Sequence, residues 1–162
     1  MFVNDLEYRC AGTSDAKLLV EIYNSAFYDD FIRYGHCPAY GRSEENMKQS
    51  VQEFPKIIAY DQGKAVGLIS YKEEAPGKYY IGCLAVVKEE QGRGIGTLLM
   101  KHFMTEHPDW QELTLVTPKD NDRNIRFYTK RFGFDIVGEE VDETVTVLWF
   151  SLRRKDNDKI RE

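Results

Sequence analysis

An α/β fold, with a mixed central β-sheet flanked by helices on both faces, is the class this chain predicts, on three observations. Segments of strand character alternate with segments of helical period along its length. A glycine-rich stretch, Gln91-Gly92-Arg93-Gly94-Ile95-Gly96, joins an apolar run, Ile81 to Val87, to a helical-period segment, Thr97 to Phe103. The 162 residues, 42% of them apolar, suit a single core, and no linker, repeat or low-complexity segment divides them, so residues 1–162 read as one domain.

The elements follow in order. Tyr8 to Ala11 is a short first strand, and Thr13-Ser14-Asp15 opens a helix with Leu18, Leu19, Ile22 and Ala26 at helical spacing up to Phe27. Ser43 caps a second helix, acidic at Glu44 and Glu45, which runs to about Phe54 before Pro55. Lys56 to Tyr60 and Ala65 to Lys72 form a hairpin about Asp61-Gln62-Gly63, and Pro76-Gly77 turns the chain into a strand from Tyr79 to Val87. The next helix spans about Gly94 to Glu106, with Pro108 beyond it. Leu113 to Thr117 is a strand, Asp122 to Phe132 a helix closed by Gly133, and Phe134 to Val137 and Thr144 to Leu152 are the last strands.

The glycine stretch has the chemistry of a phosphate cradle. A strand delivers the chain, glycines remove the Cβ atoms that would block close approach, and the first turn of the helix offers unpaired N–H groups and its positive dipole end. A pyrophosphate is the ligand this suits. Thr97 and Leu98 follow Gly96 where a Walker loop requires Lys and then Ser or Thr, so the phosphate lysine of a nucleoside triphosphatase is missing. The dinucleotide pattern fails too: Gly92 and Gly94 fit its first two positions, but Thr97 stands where its third glycine belongs.

A second motif lies downstream. Leu113 to Thr117 is followed by Asn121-Asp122-Arg123-Asn124-Ile125-Arg126-Phe127-Tyr128 and then Arg131-Phe132-Gly133-Phe134. Together the two segments resemble the GCN5-related N-acetyltransferase (GNAT) family. Its phosphate loop reads Gln/Arg-x-x-Gly-x-Gly/Ala, and its second signature an Asn, six residues, a Tyr and then Gly-Phe. Gln91, Gly94 and Gly96 fill the first; Asn121, Tyr128, Gly133 and Phe134 fill the second. The resemblance is strongest from Tyr79 to Phe134 and is generic before it.

The resemblance implies a single acetyltransferase domain that takes acetyl-CoA as co-substrate and acetylates a primary amine of a small molecule or peptide. It implies that the backbone of Leu84, Ala85 and Val86 runs beside the pantetheine, with an N–H facing the acetyl oxygen. Gln91, Gly92, Arg93, Gly94, Ile95, Gly96, Thr97 and Asn121 are then the remaining cofactor residues, and Tyr128 is the general acid toward the coenzyme sulfur. The reaction needs a neutral amine, a stabilised oxyanion and a protonated leaving thiolate. The base is not assigned: many members carry a glutamate where this chain has Tyr80, or at the end of the following strand, where it has Val116. An acceptor of lowered pKa, a water relay, or His36, Glu73 or Glu74 stay open, as does the role of Asn124, where the family commonly has Ala. The missing carboxylates also leave open a catalytically silent acyl-CoA-binding or sensor module. A nicotinamide-binding domain would instead prefer NADH.

The acceptor pocket is expected at the aromatic stretch from Phe27 to Tyr40, with Tyr28 and Tyr34 as substrate residues and Asp29 and Asp30 able to meet an ammonium. Composition fits a cytoplasmic protein, since Met1 to Arg9 is mixed and charged and no apolar run nears the ~20 residues that span a membrane, while a homodimer is an expectation from the resemblance alone. A net charge of −5 disfavours a general nucleic-acid surface, and Arg153-Arg154-Lys155, followed by Asp156 and Asp158, reads as a solvated terminus. Cys10, Cys37 and Cys83 lack disulfide or zinc spacing, so free thiols and no metal are expected, and His102 and His107 read as surface residues.

Overall fold

The structure is a computed structural model that describes residues 5–155. The strands are β1 (Glu7–Cys10), β2 (Lys56–Asp61), β3 (Lys64–Ala75), β4 (Lys78–Val86), β5 (Glu112–Pro118), β6 (Asp135–Asp142) and β7 (Val145–Arg153). The helices are α1 (Ala16–Tyr34), α2 (Glu44–Glu53), α3 (Ile95–Glu106) and α4 (Asp122–Arg126). The hydrogen-bonded strand order is β1-β2-β3-β4-β5-β7-β6, and only β4 and β5 run parallel where their register is recorded. The α/β class and the mixed sheet are as the sequence predicts.

The residues form two compact units, one from those up to Lys72 with Gly82–Glu106, the other from Glu73–Ile81 and those from His107 onward. In the first unit, α1 and α2 bury Leu19, Ile22, Tyr23 and Met47 against Ile58, Leu68, Ala85 and Val87. Gly67, next to Leu68 and so on the opposite face of β3, would push a Cβ to 3.2 Å from Leu99 of α3 and 2.6 Å from the Ala85 carbonyl. The helices of this unit therefore cover both faces of its strands, and Gly67 is the thin point that lets α3 approach.

In the second unit, β4 pairs with β5 over Lys78↔Glu112, Tyr79↔Leu113 and Tyr80↔Thr114, while β5 pairs with β7 along its whole length. Strand β6 ends the strand order, pairs with β7 through a register shift between Ile136 and Gly138, and exposes Ile136, Val137 and Val141. The Tyr79 hydroxyl donates to Asp109 Oδ1 at 3.0 Å, tying β4 to the turn before β5.

Helix boundaries follow their caps. Ser43 Oγ accepts from the Asn46 N–H at 3.0 Å, with Glu44 and Glu45 in the first turn where the dipole favours them. Ser43→Ala is expected to cost about 1 kcal/mol, seen as a lower urea midpoint at unchanged slope. An unchanged midpoint would show that packing alone holds α2.

Four expectations need correction. Helix α1 does not stop near Phe27 but continues to Tyr34, where Gly35 takes a left-handed φ of 68°. The expected helix from Asp122 to Phe132 is a short α-helix, α4, continued by a π-helical turn, Phe127–Arg131. Arg154 is not part of a solvated tail: it is buried, lies over the Trp110 ring at 5.0 Å, and donates from Nη1 to the carbonyls of Pro108 and Trp110. His102 is half-buried and stacks on Tyr8, ring centroids 3.8 Å apart. Met1–Asn4, Asp156 and Asp158 lie outside the described residues. Cys10, Cys37 and Cys83 are free thiols.

Candidate active site

Strand β4 runs into the glycine loop through a single 3₁₀ turn, Lys88–Glu90. Ala85 faces the α1–α2 core and is buried, whereas Leu84 and Val86 are half-buried. The β4–β5 ladder stops at Tyr80, so the main chain of Leu84–Val86 lies beyond it. Gln91 Nε2 donates to the Val86 carbonyl at 3.0 Å, folding the loop back on the end of its own strand.

Gly92 and Gly94 have φ of 83° and 84°, left-handed values that disfavour any side chain, and a Cβ at Gly92 would meet no atom within 4 Å. Both residues thus present bare backbone. Helix α3 starts at Ile95, and its first i→i−4 bond runs from the Leu98 N–H to the Gly94 carbonyl. The N–H groups of Ile95, Gly96 and Thr97 precede that bond, which is the donor array an anion meets at a helix N-terminus. Ile95 is buried and anchors the turn; Gly96 and Thr97 are half-buried.

Arg93 is arranged in a way its sequence position does not suggest. Its guanidinium pairs with Glu90 and, at 3.4 Å, with Asp61 at the β2–β3 turn, and Lys64 reaches the other oxygen of Glu90 at 3.5 Å. Arg93 first of all holds the Glu90 carboxyl below its ordinary range. The side chain thus fastens the loop to the hairpin. The spacing of Glu90 and Arg93 carries a signal of this pairing, but nothing in the sequence points to Asp61.

In the second unit, Asn121 caps α4, its Oδ1 accepting from the Asn124 N–H at 3.1 Å. The Asn124 side chain donates to Thr117 Oγ1 at 3.1 Å and so ties α4 to the end of β5. Tyr128 lies in the π-helical turn, 8% exposed, its ring against those of Phe127, Phe134 and Phe150 at 5.1, 5.6 and 5.9 Å. An inserted residue of this kind rotates the following side chains and is frequent at functional sites.

The two tyrosines expected at the acceptor pocket both stand on the second half of α1. Tyr28 is exposed, its ring 6.0 Å from Tyr40, with the Lys88 ammonium 5.9 Å above it, while Tyr34 lies beneath Arg33. Asp29 pairs with Lys88 at 3.1 Å. Burial, and next the Asp29 charge, raises the Asp30 carboxyl. Among the described residues no group of three or more His, Cys, Asp or Glu is placed to hold a metal, and no helix is long and apolar enough to cross a membrane.

A strand that ends in a left-handed glycine turn and feeds a helix N-terminus defines a class of α/β domain that presents main-chain donors to an anion. The sequence model of the Acetyltransferase (GNAT) family matches residues 17–134, and the chain belongs to that family. It is 32% identical over 92 residues to N-alpha-acetyltransferase 30 of Schizosaccharomyces pombe, a match covering 52% of this chain and 61% of that protein. The chain thus spans about six tenths of that curated relative's length.

Solved structures share the fold. An acetyltransferase from Thermus thermophilus superposes with a TM-score of 0.76 at 20% identity, over 95% of this chain and 100% of that one. A PaiA N-acetyltransferase from Thermoplasma acidophilum, solved in complex with coenzyme A, gives 0.70 at 18% over 90% and 98%. The ribosomal-protein-S18-alanine N-acetyltransferase of Escherichia coli gives 0.75 at 16% over 94% and 98%.

Proposed function

We propose that this chain is an acetyl-CoA-dependent N-acetyltransferase that transfers the acetyl group to a primary amine of a small molecule or peptide, with Tyr128 as general acid. The observation that carries the reading is the loop from Gly92 to Thr97, whose left-handed glycines and unpaired helix-start donors suit a pyrophosphate. Family membership makes that pyrophosphate coenzyme A's. Gln91 and Arg93 act by holding the loop in shape, while the main chain of Gly92, Gly94, Ile95, Gly96 and Thr97 meets the phosphates. The backbone of Leu84, Ala85 and Val86 aligns the pantetheine and offers the acetyl oxygen an N–H, and Asn121 is a further coenzyme residue that fixes the start of α4. Tyr28, with Lys88 and Asp29 beside it, belongs to the acceptor end; Tyr34 is a weaker member.

The names of the relatives favour a peptide α-amine as acceptor: one is an N-alpha-acetyltransferase and another acetylates a ribosomal-protein alanine. The reading places the enzyme in the cytoplasm, independent of metal, nucleic acid and membrane, as a monomer or homodimer.

Thermal unfolding with and without acetyl-CoA tests the cofactor, with NADH as control. Ligand at about a hundred times its dissociation constant adds ~2.7 kcal/mol, which for a domain of this size raises the midpoint by roughly 5–11 °C. Acetyl-CoA is expected to give that shift and NADH none. No shift with acetyl-CoA would sink the reading; a shift without thiol release on any amine would leave a binding module.

A further inference from the structure

Lys56 is the first residue of β2, and its charged side chain is 2% exposed. Among the described residues no carboxylate bonds its ammonium. Nζ donates instead to Ser70 Oγ at 2.8 Å and sits over the rings of Tyr23 and Phe54 at 5.6 and 5.8 Å. The Tyr23 hydroxyl, from α1, lies beside both the Ser70 hydroxyl and the Cys83 thiol, each of which perturbs its protonation. Lys56, Ser70 and Tyr23 are buried, while Cys83 is half-buried on β4, directly before the Leu84–Val86 segment. A buried lysine with aromatic and hydroxyl neighbours is costly to keep charged, and packing alone would be served better by Met or Leu.

We propose that Cys83, Tyr23, Ser70 and Lys56 form a proton relay from the acceptor amine to the interior, with Lys56 as the base that neither Tyr80 nor Val116 supplies. The inference rests on the amine-acetylating function proposed above. When Lys56 is neutral the direction of each bond reverses: the thiol donates to the Tyr23 hydroxyl, that hydroxyl to Ser70, and Ser70 to the amine nitrogen. The acceptor ammonium passes one proton to the Cys83 sulfur, directly or through one water, as the thiol's own proton moves inward, and Lys56 becomes ammonium. The neutral acceptor then attacks the thioester carbon; the C–N bond forms and the C–S bond breaks. The leaving thiolate takes the Tyr128 proton, the surplus proton on the new amide nitrogen restores Tyr128, and Lys56 returns its proton to solvent.

The electrostatics support the direction of transfer. Desolvation first, with help from Arg42, lowers Lys56 to about 8, against opposing contributions from Cys83 and Glu53. Those groups, with Tyr23 and Ser70, are what face the amine: Tyr23 from α1, Arg42 from the segment before α2, Glu53 from α2, Ser70 from β3 and Cys83 from β4. Burial pushes Cys83 up to about 12 and raises Tyr23, so both stay protonated and conduct without ionising. A peptide α-amine titrates at about 7.7–8.0 and a lysine side chain at about 10.4, so transfer to Lys56 is nearly level for the former and uphill for the latter.

The test is kcat for thiol release from saturating acetyl-CoA between pH 6 and 9.5, with a lysine-free peptide bearing a free α-amine. Wild type, Lys56→Met, Lys56→Arg and Tyr23→Phe are compared. Wild-type kcat should rise with pH and level above about pH 8, because the base must be neutral to accept. Lys56→Met and Tyr23→Phe should each lower kcat by about 10²-fold below pH 8 and leave the KM for acetyl-CoA unchanged, the rise that remains being the acceptor amine's own titration. Lys56→Arg, a permanent cation, should not restore activity. If Tyr23→Phe, which keeps the ring and deletes one oxygen, holds kcat within twofold with the same profile, the relay is overturned even should Lys56→Met fail to fold. Absence of wild-type turnover with any amine would overturn the function beneath it, a result distinct from active variants.

Discussion

Replacing Tyr128 by phenylalanine is expected to lower kcat by about 10²–10⁴-fold and to leave the dissociation constant of acetyl-CoA unchanged. The substitution is clean because the ring is held by three phenylalanines in its own unit, so phenylalanine keeps the packing and loses only the hydroxyl. On the proposed mechanism that hydroxyl acts at the step where the C–S bond breaks, when a thiolate left bare would recapture the acetyl group. Steady-state rates at saturating acetyl-CoA, with calorimetric titration of the coenzyme, check both halves. Undiminished turnover would remove Tyr128 from the chemistry, and weakened coenzyme binding would show that it positions rather than protonates.

Phe103→Ala is expected to destabilise the fold by about 3–5 kcal/mol, lowering the thermal midpoint by about 6–20 °C. Phe103 is fully buried, and its ring meets the edge of Tyr71 at 4.9 Å, joining α3 to β3. Alanine leaves a cavity that α3 cannot collapse into, because Leu99 and Met100 already fill the neighbouring turn with no exposed surface. Since α3 carries the first donors of the glycine loop, added acetyl-CoA should recover part of the lost midpoint by mass action. A loss below 1 kcal/mol would mean that the helix repacks freely.

Elements fixed by local chemistry were legible in the sequence. Ser43 caps α2, Gly133 turns the chain with φ of 79°, and Gly63 takes a φ of 82° in the β2–β3 turn as its residue type predicts. Features that depend on distant partners were not. Helix α1 outruns Phe27 because Phe31 packs on Tyr40 at 4.5 Å, a contact made after the intervening chain turns back. No glycine or proline announces the π-helical turn at Phe127–Arg131, so periodicity alone gives an unbroken helix.

The candidate site divides in the same way. The cradle of Gly92 and Gly94 could be read locally, whereas the tether from Arg93 to Asp61 spans 32 residues of sequence and could not. Lys56 shows the limit most plainly. A lysine beside a proline at a strand start reads as an exposed edge, and only the folding of α1 and α2 over it reveals burial. The same holds for Arg154, whose place in a basic tail concealed its position over the Trp110 ring.

Strand β6, the last in the order, bears on self-association. An open edge with Ile136, Val137 and Val141 in solvent is a template for a second chain to pair with, the first step toward aggregates. Along the same eight residues stand Asp135, Glu139, Glu140 and Asp142, so an approaching copy meets its own acidic row, and the irregular register at Ile136–Gly138 breaks the straight ladder it would need. The acids act as gatekeepers, an electrostatic fence around an apolar edge, and amide substitutions there would take that fence down, at Glu139 also weakening its pair with Lys119.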